Sequence, residues 1–294
     1  MDAERRQRNR LARLSLTGLS IGDAFGQQFF SQPELLATRE LPPYPWTITD
    51  DTVMGVSVVE TLELHERIVP DVLAEKFATR YHEYPWRGYG GTAHGILRRI
   101  YEGVAWEVAA AEVFDGQGSM GNGGAMRAGP IGAYFVGNLD ACVENARLSA
   151  AVTHAHPDGQ AGAIAVAVAA STAADEEARS APRSIIEAAE AHLPDGPTRC
   201  GIQEALETPL EFDVRTVARK LGNGGRVISS DTVPFCLWAA AKCLHSFEEA
   251  MWTTVSAMGD RDTTCAIVGS IVAVALGWDG VPSLWLDHRE PLNC

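Results

Sequence analysis

Between residues 265 and 276 the chain reads CAIVGSIVAVAL, apolar around the whole circumference of a helix. Such a segment must be buried on every side, so it predicts a central helix with others packed around it. Its small positions, Ala266, Gly269, Ser270, Ala273 and Ala275, would let neighbouring backbones approach closely. It is too short to span a bilayer. Helical spacing recurs along the chain. Leu11, Leu14, Leu16, Leu19 and Ile21 form an apolar face expected to end at the small-residue segment GDAFG (residues 22–26). Further helices are predicted over residues 53–64, 72–81, 143–152, 161–174 and 247–258, the alanine-rich one on propensity alone. Pro234 is expected in the first turn of a helix running on through FCLWAAAKCL. Residues 176–182 and 194–197 read as surface connections. Alternation with a period of two over a strand's length is missing, and strand and helix units do not alternate, which argues against a doubly wound fold. The expectation is an all-α protein, one domain over residues 1–294. The tetrapeptide GNGG occurs twice, at 121–124 and 222–225, too short a repeat to mean duplication.

A hydrophobic content of 46% supplies a core without disulfide staples. The net charge of −14 argues against general nucleic-acid binding, which needs clustered Lys and Arg. A small anionic substrate remains compatible, because backbone N–H groups and bound cations can hold one. The six cysteines include no CxxC pair and read as scattered, mostly buried thiols rather than as a disulfide framework or zinc site. The N-terminus, MDAERRQRNRLARL, is too charged for a secretory leader. A cytoplasmic monomer with no membrane association is expected.

Two acidic clusters stand out: Thr49-Asp50-Asp51-Thr52 and Asp260-Arg261-Asp262-Thr263-Thr264. Each precedes an apolar helix, so each sets carboxylate and hydroxyl oxygens at a rigid helix start. Adjacent aspartates repel one another and are tolerated where a divalent cation lies between them. Oxygen donors without a cysteine or histidine pair favour Mg²⁺ or Mn²⁺ over zinc. Simple helix capping is the alternative for either cluster alone. A third feature, GQGSMGNGGAMRAGP (residues 116–130), is dense in glycine and suits backbone contact with a ligand. It lacks the GK[ST] of a Walker loop, and no predicted strand precedes it as a dinucleotide fingerprint requires. The fourth, THAHPDGQAG, brings His154 and His156 to the start of the alanine-rich helix, where a packed or capping role is the plain alternative to ligand contact.

Taken together and in this order, GDAFG, TDDT, GSMGNGGAMR, THAHP and GDRDTTCAIVGSI resemble the ADP-ribosylglycohydrolase family, from about Leu14 to Gly277. The resemblance implies an orthogonal helical bundle holding two divalent cations, Mg²⁺ or Mn²⁺. It implies metal ligation by Thr49, Asp50 and Asp51 and by Asp260, Asp262 and Thr263. Gly118, Ser119, Gly121 and Asn122 match positions that cradle the diphosphate and ribose, and Phe114 matches an aromatic that stacks on the ligand. Met120 stands where relatives often carry Tyr. His154 matches a histidine near the ribose and phosphates.

The implied activity is hydrolysis of an ADP-ribosylated protein, nucleic-acid base or small molecule at the anomeric carbon of the distal ribose. Charge builds there as an oxocarbenium-like cation. Asp50 or Asp51 would orient or deprotonate the attacking water. One departure bears on the base and on the acceptor: many members carry a Glu seven residues beyond the GDAxG aspartate, and this chain has Phe30. Arg261 likewise replaces a small residue between the two aspartates. Other readings are an ADP-ribose-binding protein without turnover, a structural crystallin-like member and a generic two-metal phosphohydrolase.

Overall fold

The computed structural model describes residues 3–292. Among these residues no strand forms, and the only β pairing is two isolated bridges, Trp46 with Arg289 and Gly121 with Ile228. The all-helical expectation holds. The apolar segment lies in the helix Arg261–Leu276, buried without a break from Thr263 to Ala275. The alanine-rich helix Pro157–Ala173 is buried almost as completely. The apolar side chains of these helices join one continuous cluster with those of Ser229–Lys242, Phe247–Val255 and the N-terminal helix.

The N-terminal helix corrects the sequence expectation. It runs from Ala3 to Gln28, straight through GDAFG rather than stopping there. Glycine normally weakens a helix interior, but here tertiary packing decides. A Cβ at Gly18, Gly22 or Gly26 would collide with the backbone of Gly269, Cys265 and Arg261 respectively. Four-residue spacing puts the three glycines on one face, and that face lies directly on the helix Arg261–Leu276. Asp23 is thereby carried to the start of the central helix.

The predicted helices appear as Asp50–His65, Pro70–Glu83, Leu139–Ala151, Pro157–Ala173 and Phe247–Val255. Pro234 is a second correction: its helix begins at Ser229, so the proline lies inside it, not in its first turn. Several helices, including Gly91–Tyr101, Ser184–Ala191 and Pro197–Glu207, were not anticipated. Cys142, Cys236, Cys243 and Cys265 are buried free thiols and Cys200 is an exposed one, while Cys294 lies outside the described residues. No helix of the described residues is long and apolar enough to cross a membrane.

Candidate functional site

Both acidic clusters sit where two buried helices begin. Thr49 is the N-cap of Asp50–His65 and its hydroxyl accepts from the Asp51 N–H, which puts Asp50 and Asp51 in the first turn. Asp260 occupies the N-cap position of Arg261–Leu276, and Asp262 lies in that first turn. One carboxylate oxygen each from Asp23, Asp51 and Asp262 lies within 4.8 Å of the others. Asp23 was not among the residues the sequence singled out as ligands. The available signal was an aspartate inside an apolar helical face, a position only a strongly bonded carboxylate can occupy.

Asp23 is held firmly. The N–H groups of Thr49 and Thr52 donate to its Oδ2 at 2.9 and 3.2 Å, and the Thr49 hydroxyl donates to Oδ1 at 2.7 Å. The Thr52 hydroxyl donates to Oδ2 as well. By contrast Oδ1 of Asp51 and Oδ1 of Asp262 are buried with no hydrogen-bond partner. Thr263 reaches Asp51 Oδ2 only at 3.4 Å. Burial pushes every carboxyl of the group upward, and repulsion from neighbouring aspartates adds to it at Asp23, Asp50, Asp51 and Asp260. Asp23 and Asp260 are pushed up to about 7, and Asp50 and Asp51 well above their ordinary range. Asp262 is raised by burial, with backbone hydrogen bonds and the Arg261 charge opposing.

Such a group is unfavourable as a set of bare carboxylates, because each charge is desolvated and faces others of its own sign. Oxygen donors, unpartnered carboxylate atoms and mutual repulsion together fit a divalent cation of the Mg²⁺ or Mn²⁺ type. The acids open into a cavity of about 910 Å³. Asp50, Asp51, Asp260, Asp262 and Thr263 line it, as do Phe114, Ser119, Met120, Gly121, Asn122 and His154. Thr49 and Gly118 are not on its surface; Gly118 packs on the backbone of His156. Phe114 stands at 59% exposure on a left-handed backbone, φ 53°.

The glycine loop is engaged internally more than its sequence suggests. The Gly121 N–H donates to the Ser119 hydroxyl, and the Asn122 N–H donates to the Val227 carbonyl. The Asn122 side chain donates to Asp260 Oδ2 at 2.7 Å and to Thr232 at 3.1 Å. The second GNGG reaches the same aspartate from the other side: the Asp260 N–H donates to the Asn223 carbonyl. The two copies of the tetrapeptide therefore meet at Asp260. Their common role is local bracing, which the sequence repeat alone did not reveal.

The structure is that of an all-helical protein with a buried, oxygen-only acidic group that could hold a metal ion, beside a glycine loop on the same cavity. Residues 2–292 match the family model described as ADP-ribosylglycohydrolase. The chain belongs to the ADP-ribosylglycohydrolase family. It is 27% identical to ADP-ribosylhydrolase ARH3 of Homo sapiens, with 94% of this chain and 88% of that protein covered. An uncharacterized protein of Archaeoglobus fulgidus is 30% identical, over 92% of this chain and 89% of its own length. A solved structure titled "ADP-ribosylglycohydrolase-related protein complex" shares the fold, with a TM-score of 0.68 at 22% identity over 97% of this chain and 94% of that one.

Proposed function

We propose that the chain is a metal-dependent hydrolase that releases ADP-ribose from an acceptor by cleaving the bond at the anomeric carbon of the distal ribose. The observation that carries this reading is a single cavity lined both by the four aspartates and by the glycine loop with His154. Family membership and the ADP-ribosylhydrolase relatives give the substrate class. We read residues 1–294 as one catalytic domain, supported by the continuous core, and as a cytoplasmic monomer.

Two Mg²⁺ or Mn²⁺ ions are assigned to Thr49, Asp50, Asp51, Asp260, Asp262 and Thr263, with Asp23 added from the geometry. When bound, they supply the charge that neutralises these carboxylates and polarises oxygen ligands. The protein's own groups do the rest. Asp50 or Asp51, buried at a rigid helix start, orients the water and accepts its proton. Ser119, Gly121 and Asn122 shape the wall for the diphosphate and ribose, and Phe114 offers a face for the base. The surrounding apolar wall, including Met54, Ile96 and Met126, keeps bulk water from the developing cation.

The test is a panel of arginine-, serine-, O-acetyl- and base-linked ADP-ribose incubated with the protein and Mg²⁺ or Mn²⁺. Metal-dependent release of free ADP-ribose from at least one acceptor is expected. ADP-ribose binding without release from any acceptor would replace hydrolysis by a binding role.

A further inference from the structure

Arg127 is fully buried, yet it makes no salt bridge among the described residues. Its guanidinium lies 4.6 Å from the centre of the Phe77 ring and donates only to neutral acceptors. These are the carbonyl of Gly123 at 2.8 Å, the carbonyl of Ser149 at 2.7 Å, the hydroxyl of Thr153 at 3.0 Å and the Met54 sulfur at 3.8 Å. Thr153 is also buried, and its hydroxyl oxygen lies 2.7 Å from Nδ1 of His154. All three residues line the cavity that holds the aspartates.

The direction of these bonds follows from valence. A guanidinium has only donors, so the Thr153 oxygen must accept from Arg127. Thr153 is 2% exposed, so the hydroxyl proton needs a protein acceptor, and His154 Nδ1 lies within reach at 2.7 Å. The reverse arrangement, Nδ1–H donating to Thr153, would leave the hydroxyl proton buried without a partner, a costly state. His154 is therefore the tautomer that carries its proton on Nε2. That nitrogen has no partner among the described residues. It lies over the glycine turn, 3.1 Å from where a Cβ on Gly121 would sit and 3.3 Å from one on Gly123. Burial and the Arg127 charge also keep the ring neutral.

We propose that Arg127 and Thr153 are positioning residues that lock His154 as a neutral Nε2–H donor to an anionic oxygen of the ligand lying over Gly121 and Gly123. The inference rests on the ADP-ribose reading of the cavity. It supplies a donor in a loop whose Gly121 and Asn122 amides are already engaged. It also gives the arginine that ends GNGGAMR a task apart from metal or substrate contact.

The test uses the full chain with nitrogen-15 in its histidine rings, the His154 signals being identified by their loss in His154→Gln. In the wild type, Nε2 should give a protonated-nitrogen signal and Nδ1 an unprotonated one, before any ligand is added. Thr153→Val, close in shape, should yield mixed tautomers and bind ADP-ribose about tenfold more weakly, the scale of one lost hydrogen bond. Thr153→Ser should restore both readouts, which a purely structural role would not predict. A wild-type ring protonated on Nδ1 would overturn the relay, and so would Thr153→Val with an unchanged tautomer and affinity. Wild-type protein that shows the stated tautomer but binds no ADP-ribose would instead overturn the reading of the cavity, and with it the ligand this donor serves.

Discussion

Replacing Asp262 with Asn distinguishes a metal ligand from a residue that only supports a helix start, because only the ligand role makes the order of the two melting points depend on metal. Asp262 shares its site with Asp23 and Asp51, all within 4.8 Å. Two like charges about 5 Å apart repel by about 3 kcal/mol at an effective dielectric near 20. Part of that is already relieved in the metal-free protein, since burial raises these carboxyls and favours their protonated forms. Losing a negative charge from a first helical turn costs roughly 0.3–1 kcal/mol in the other direction. The net expectation is that Asp262→Asn stabilises the metal-free protein by about 1–2 kcal/mol, which raises Tm by about 2–6 °C for a domain of this size. With Mg²⁺ or Mn²⁺ at a hundred times its Kd, the wild type should gain about 2.7 kcal/mol per site while the variant gains little. Thermal melts in chelator and in metal should therefore cross, the variant melting higher in chelator and lower in metal. If Asp262 only supports the helix start behind the N-cap Asp260, metal should shift neither melt, and the order of the two proteins should be the same under both conditions. Melting curves that stay parallel would refute the ligand assignment.

Three further outcomes follow from the same geometry. Asp23→Asn should be less stable in chelator than Asp262→Asn by about 1–3 kcal/mol, because its amide nitrogen would face the N–H and hydroxyl donors of Thr49 and Thr52; equal melts would show that those bonds are weak. Gly121→Val should weaken ADP-ribose binding tenfold or more with the circular dichroism unchanged, since its Cβ would crowd His154 Nε2 and Ser119 Oγ at 3.1 Å; wild-type affinity by calorimetry would remove the loop from the site. His154, held down to about 3 by burial and by Arg127, takes up a proton in the unfolded chain before the folded one. Its contribution to stability is complete above the unfolded value near 6.5 and is lost as pH falls from there toward 3, at up to about 1.4 kcal/mol per pH unit. His154→Gln should flatten the denaturation-versus-pH curve in that window, and curves of equal slope would show that the ring is not buried neutral.

Much of this architecture was legible because the local signals agreed with the tertiary ones. The segment at residues 265–276 had no polar face to expose, so its central place followed from composition alone. Thr49 and Asp260 stood immediately before apolar runs, where oxygen side chains meet free N–H groups, and both lie at helix starts. What local reasoning could not reach were effects that exist only between segments. The glycines at 22 and 26 looked like a helix terminus and are instead, with Gly18, the surface on which two helices touch. Asp23 became a member of the acidic group only through that contact. The helices Gly91–Tyr101 and Ser184–Ala191 bury only two and three positions, Ile96 and Leu97 in the first and Ile185, Ile186 and Ala189 in the second, so little apolar sequence marks them.

The same contact bears on the position where the family resemblance leads one to expect Glu and this chain has Phe30. Phe30 is 48% exposed, and the Arg261 guanidinium lies 4.7 Å from the centre of its ring while donating to the Phe29 carbonyl at 2.6 Å. Both departures from the family pattern thus meet at one point, next to Asp262. A carboxylate at residue 30 would bring another negative charge toward a group already strained by repulsion. An aromatic ring stacked under a guanidinium brings a positive one, and the Arg261 charge eases the ionisation of Asp262. The pair is internally consistent: once Arg261 occupies this place, a neutral ring with a polarisable face is a compatible partner. The proton-accepting role in the proposed reaction then falls to the helix-start aspartates, whose positions do not depend on residue 30.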